Sequence, residues 1–256
     1  MPKGVVMPGG GDPLVAFDID ESHPNWELLQ AAFEAWGASD IIRTVFSKKE
    51  VSNARWLNLV ADWHHGYPQP DDDIFGYRQA TYDLTNWCER CGIGMNQNAP
   101  FRMKGEPKWG KRSILQLNWV FDEYFVTPDI WAGVFEPNGI DCRPVVDTKG
   151  RELKTVVQLV THAEVGIVTN GLPREEVACA ACGQKKYLPI ARGPFPALMS
   201  EPESAMVRTK EYFGSGAAAD KGVLVSRVIA HALIAGDVRG VSLRPVAEQE
   251  GIATST

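Results

Sequence analysis

Cys88-Glu89-Arg90-Cys91-Gly92 and Cys179-Ala180-Ala181-Cys182-Gly183 are the two stretches on which the reading of this chain turns. Each is a Cys-x-x-Cys unit followed at once by glycine. A two-residue gap lets both thiolates of a unit point at one ion from a single tight turn. The glycine behind the second cysteine can take the positive φ that other residues resist. Together the two units supply four thiolates, which at bonds of about 2.3 Å close a tetrahedral shell round zinc. The spacing therefore predicts one structural zinc ion held by Cys88, Cys91, Cys179 and Cys182. A closed shell leaves no position for water or substrate, which argues against chemistry at the metal. The same ligand set also takes iron, as in rubredoxin. Redox dithiols, two unrelated pairs or buried free thiols are the other readings.

Between Cys91 and Cys179 lie 87 residues, far more than separate the knuckles of familiar zinc ribbons. The intervening segment is long enough for several strands and a helix. The fold expected is α+β: mixed sheets, short helices, and a zinc ribbon formed by two sequence-distant knuckles. Cys142 has no partner in the pattern and reads as a small core residue on a strand or as a reactive thiol.

The composition is that of an ordinary globular chain, 44% hydrophobic and 23% charged over 256 residues. A chain of this size buries a substantial core without relying wholly on metal. The formal net charge of -6 makes the whole protein a poor electrostatic match for nucleic acid or an anionic membrane. Residues 1–20 carry no apolar run of signal-peptide length, and no stretch approaches a membrane span of about 20 apolar residues. A cytoplasmic location is expected, and there paired cysteines point to metal before disulfide.

Outward from the cysteines, apolar spacing at Trp26, Leu29, Ala32, Phe33 and Trp36 predicts a helix ended by Gly37. Residues 14–19 and 41–46 read as strands. Ser47 and Glu50 form a capping-box pattern, opening a helix expected to include Trp56, Leu57 and Val60. Residues 66–73 (GYPQPDDD) read as an acidic loop, and residues 92–111 as a long one. A strand over 113–117 follows, then a short helix from Thr127-Pro128-Asp129 to about Glu136. Residues 145–160 form a predicted hairpin turning at 147–150. Ser226 caps a helix from Arg227 to Ala235, ended by Gly236, and 238–246 returns as a strand.

Residues 126–145 and 225–246 resemble each other, each running from a Ser or Thr cap through a short helix to a strand ending Arg-Pro-Val. A duplicated helix–strand unit accounts for this, and so does chance. All eight tryptophans lie between Trp26 and Trp131. The organisation expected is a Trp-rich α/β region over 1–86, a zinc-ribbon region with a β-rich insertion over 87–192, and an α/β region over 193–256, packed together or apart.

No catalytic constellation is recognisable. His64 and His65 beside Asp71-Asp72-Asp73 read either as acid–base groups or as residues at a helix end. His162 with Glu164 sits at a strand end, and His231 lies in a helix. Gly214-Ser215-Gly216 lacks the lysine and flanking spacing of a P-loop. Lys104, Lys108, Trp109, Lys111 and Arg112 make a basic run with one aromatic, either a nucleic-acid contact or a solvated loop packing its tryptophan.

The doubled motif, Cys88, Cys91 and Gly92 with Cys179, Cys182 and Gly183, resembles that of the double-CXXCG motif proteins, a paralogous group best known from myxobacteria. Some members are regarded as immunity proteins that neutralise a cognate toxin. The end of the chain, Arg244-Pro245-Val246, is similar in style. The resemblance implies a non-enzymatic, zinc-stabilised protein with a protein partner, and brings no catalytic residue. A nucleic-acid-associated ribbon protein and an enzyme with a site scattered along the sequence are the competing expectations.

Overall fold

The computed structural model describes residues 19–37, 44–172 and 178–248. The chain divides into two compact units, Met1–Arg43 and Thr44–Thr256. In the first, helix α1 (Trp26–Trp36) forms where the apolar spacing predicts it and ends on Gly37 at φ 60°. None of its side chains is buried, and Leu28 and Trp36 are exposed. The strand expected over 14–19 falls almost wholly outside the described residues. So does the first half of that expected over 41–46, and Thr44–Phe46 are irregular.

The second unit opens with α2 (Lys48–Asn53). Its capping box is formed: the Glu50 amide donates to Ser47 Oγ at 3.2 Å and the Ser47 amide to the Glu50 carboxylate at 2.7 Å. The helix stops there, contrary to the expectation that it runs through Trp56, Leu57 and Val60. Those residues belong to strand β1 (Trp56–Ala61). The strand is internal to its sheet and apolar clusters cover both of its faces, so Trp56–Leu59 are all buried. A contiguous apolar run of that kind carries no period by which strand and helix can be told apart.

Then follow α3 (Gly76–Thr81), β2 (Tyr82–Asp83), β3 (Asn96–Gln97), β4 (Arg102–Met103), β5 (Ile114–Leu117) and β6 (Val120–Val126). Next come α4 (Pro128–Ile130), which runs on through a π-helical turn (Trp131–Phe135) and a 3₁₀ turn (Glu136–Asn138), β7 (Asp141–Asp147), β8 (Glu152–Val160) and β9 (Glu164–Val165). The chain ends with β10 (Lys186–Tyr187), β11 (Met206–Phe213), β12 (Asp220–Ser226), α5 (Arg227–Ala235) and β13 (Val241–Pro245). The β7–β8 hairpin turns as predicted, because Asp147 Oδ1 accepts the amides of Lys149 and Arg151 at 2.8 and 2.9 Å and Gly150 takes φ 79°. The architecture is mixed α+β, with several sheets and few helices.

Sheet I has the order β10-β11-β12-β1-β13, with β9 also on β11, and sheet II the order β4-β7-β8-β6-β5. The two similar stretches prove to be one topological unit used twice. In sheet II, α4 links β6 to β7, and β8 lies antiparallel between them. In sheet I, α5 links β12 to β13, and β1 lies antiparallel between them. The middle strand follows its unit in sheet II and precedes it in sheet I.

Strand alternation sorts the core. Leu57, Leu59, Val223, Val225, Tyr124 and Val126 face one shared apolar layer that α5 and the π turn cover. On the opposite faces, Phe125 joins a cluster with Tyr77 and Phe101, while Leu224 joins one with Trp56 and Phe195. The buried Tyr124 hydroxyl donates to the Leu59 carbonyl at 2.6 Å, tying the sheets together. Beyond β1 the chain pairs with β5: the His65 amide donates to the Gln116 carbonyl and the Gln116 amide to the Trp63 carbonyl. No helix among the described residues is long and apolar enough to cross a membrane.

Candidate metal centre

Strands β2 and β3 pair antiparallel, Tyr82 with Gln97 and Asp83 with Asn96, and carry the first cysteine pair in the loop between them. The second pair precedes β10, which lies parallel to the end of β11. Although far apart in sequence, the two turns are built alike. The Gly92 amide donates to the Cys88 carbonyl at 2.7 Å, and the Gly183 amide to the Cys179 carbonyl at 2.7 Å. The Cys88 amide donates to the Ile93 carbonyl, and the Cys179 amide to the Gln184 carbonyl, both at 2.8 Å. Gly92 and Gly183 take φ of 84° and 72°, the left-handed conformation their position demands.

This brings the four sulfurs together. Cys88 and Cys179 lie 3.8 Å apart at Sγ, Cys91 and Cys182 3.5 Å apart, and all four sulfurs fall within 4.8 Å of one another. A tetrahedron of bonds about 2.3 Å long has edges of about 3.8 Å, so the cluster can hold a metal ion with little movement. Cys91 is buried, and burial pushes its thiol up to about 12. Cys179 is brought down to about 6, first by the amide of Ala181 and then by that of Cys182. The Cys179 thiolate is thus favoured near neutral pH, and a cation would displace the proton that burial keeps on Cys91.

No family model matches the chain, and no curated protein does.

The sequence reading missed the residue that ties the cluster to the fold. Lys186, only 3% exposed, donates to the carbonyls of Cys91, Gly216 and Ala218 at 3.0, 2.6 and 2.9 Å. It lies four residues after Cys182, so the second knuckle reaches back to hold the first. Gly214-Ser215-Gly216 finds its role here, as part of the loop between β11 and β12 that Lys186 grips. A lysine within a basic-polar stretch (QKKY) gave no hint of this burial.

The catalytic candidates do not converge. His64 packs its ring on Phe121, His65 packs on Trp63, and Asp71 pairs with Lys104 at 2.9 Å. Burial lowers the His65 pKa. His231 is exposed and hydrogen-bonds the Ser52 carbonyl at 3.0 Å. Cys142 is half-buried on β7. In the basic run, Trp109 packs edge-on against Trp63 and donates to the Thr155 carbonyl at 3.0 Å, while the Arg112 guanidinium lies over the Trp63 ring. His162 and Glu164 both line a cleft that the sequence did not reveal.

Proposed function

We propose that Cys88, Cys91, Cys179 and Cys182 bind one zinc ion in a ribbon-like structural site, and that the protein works by binding a protein partner and is not an enzyme. The convergence of four sulfurs from two matching turns carries the metal reading. A full thiolate shell leaves no position for a substrate, so the ion's contribution is to folding. It would hold the β2–β3 loop against β10 and the loop before β12.

The partner reading rests on the resemblance of the doubled motif to immunity proteins. An acidic chain of net charge -6 suits a basic toxin such as a nuclease. The nucleic-acid alternative is weaker, because the aromatic of the basic run is committed to Trp63 and Thr155 and is not free to stack on bases. Metal analysis of the purified protein with thiol titration tests the first part: one zinc per chain, released with four newly reactive thiols. Protection of cells expressing a candidate nuclease toxin tests the second. Binding to DNA or RNA that weakens with salt and is lost on replacing Lys108, Lys111 and Arg112 would replace the partner reading.

A further inference from the structure

A cleft of about 310 Å³ opens where β6 of sheet II meets β12 of sheet I, at the seam of the repeated strand–helix–strand units. Unlike the dry voids left by imperfect packing, it is lined by charges and aromatic rings. Glu123, only 4% exposed, forms its floor. It accepts from Arg208 at 2.7 Å and from Gln158 at 2.8 Å, so it is already partnered. Glu164 pairs with Lys221 at the rim.

Asp122 and Asp220 stand differently. Each takes a backbone amide from the other's strand: Asp122 from Lys221 at 3.2 Å and Asp220 from Phe121 at 3.3 Å. These long, uncharged contacts weakly answer two carboxylates brought together in a half-buried space, although the Lys186 charge also acts on Asp220. Burial first, and then repulsion from Asp122, keep the Asp220 proton on up to about 7. The same two carboxylates raise the pKa of the neighbouring Tyr77, after its own burial. Asp122 and Asp220 thus face the cleft from β6 and β12, where Lys221 also lines it, while Arg143 of β7 and His162 beyond β8 line it too.

The aromatic wall fits the same ligand. Trp119 and Tyr212 line the cleft, and Trp119 stacks on Tyr77 with centroids 5.9 Å apart. Tyr212 holds Lys221 over its ring at 4.8 Å, a cation that an incoming one would have to displace. Ring faces and carboxylates together are the chemistry that recognises amines and guanidinium groups.

We propose that this cleft is a binding site for an organic cation, an amine or guanidinium group, with Asp122 and Asp220 as its counter-charges and the rings of Trp119 and Tyr212 as its walls. The cation takes the place of the Asp220 proton and offsets the repulsion that Asp122 exerts on it. The group belongs either to a free small amine or to a lysine or arginine side chain. Nothing in this assignment depends on a toxin partner.

The test is calorimetric titration of the metal-loaded full chain with agmatine and, separately, with the blocked peptide acetyl-Gly-Arg-Gly-amide. One-site binding is expected, weakened at least tenfold by Asp122→Asn and by Asp220→Asn and unchanged by Glu152→Gln on the exposed face of β8. Tighter binding of agmatine assigns the site to free amines, and tighter binding of the peptide assigns it to side chains. Should the Asn variants fail to fold, the wild type still decides: agmatine must shift the amide resonances of Phe121 and Lys221. Absence of binding by both probes, binding indifferent to both Asn changes, or unshifted amides would overturn the proposal. So would preferential binding of inorganic phosphate.

Discussion

Lys186 donates its ammonium to the backbone carbonyl of Cys91 across 95 positions of sequence, at 3.0 Å. One cysteine turn is thus held by a side chain that follows the other, independently of any metal. The same ammonium fixes the carbonyls of Gly216 and Ala218, at the end of the loop that leads to Asp220. The cysteine cluster, the β11–β12 loop and the cleft form one connected piece of structure.

Replacing Lys186 with Met should therefore destabilise the protein by about 3 kcal/mol, since buried carbonyls deprived of a charged donor carry a desolvation cost of about 1–3 kcal/mol each and water recovers part of it. The variant should still take up metal but release it faster to a chelator, because the first turn has lost its anchor. Urea unfolding and chelator-release kinetics read the two effects. An unchanged release rate would show that the turns are held by their own hydrogen bonds alone.

The two motif glycines should differ in tolerance. Both have positive φ, which costs a non-glycine residue about 1–2 kcal/mol. At Gly183 an added Cβ meets nothing within 4 Å, whereas at Gly92 it runs into the carbonyl oxygen of Ala217. Gly92→Ala should thus cost clearly more stability than Gly183→Ala, and should also lower metal affinity. Thermal unfolding of the two variants side by side checks the order.

The cysteine cluster was legible because its geometry is local: a Cys-x-x-Cys-Gly turn looks the same in sequence and in space. Helix boundaries at Ser47, Gly37 and Pro128 were legible for the same reason, as was the turn at Asp147. The repeat shared by 126–145 and 225–246 was visible as a pattern, but its meaning required knowing that β8 and β1 fill the same place from opposite ends of their units. β1 was misread because a strand buried on both faces carries no alternation. Lys186, Asp122 and Asp220 were invisible, since lysine and aspartate are ordinarily solvated. Their burial comes from pairing between elements about a hundred residues apart.

Stability should fall as pH rises towards neutrality, against the usual trend for carboxylates. Asp220 holds its proton to about 7, above the ordinary 3.8, and Glu123 is displaced the same way by its burial. A raised folded-state pKa means the native protein binds more protons than the unfolded chain between those limits. The associated stability is full below the ordinary value and is lost as pH climbs through the folded one. The slope for one such group reaches about 1.4 kcal/mol per pH unit. Urea midpoints taken between about pH 6 and pH 8, with metal content held constant, should fall. Asp220→Asn should flatten that fall and be the more stable protein at the upper end. A wild-type midpoint that rises across this range would show that Asp220 is ionised throughout.

Removing a ligand tests the cluster as a unit. With Cys179→Ser only three thiolates remain, and the lost thiol is one that backbone amides bring down to about 6. Metal content should drop from one ion per chain to well below, and with it about 3 kcal/mol of stability, a fall in Tm of about 6–12 °C for a chain of this length. Cys142→Ser, on β7, should leave both unchanged. Acid should reproduce the first variant's effect in the wild type, because protons compete with the ion for thiolate, so metal is retained at higher pH and lost as pH falls. Elemental analysis and thermal unfolding of the three proteins distinguish the outcomes. Equal metal content in Cys179→Ser and the wild type would mean that the two pairs do not share an ion, and Cys88 with Cys91 would then have to be studied as a separate dithiol.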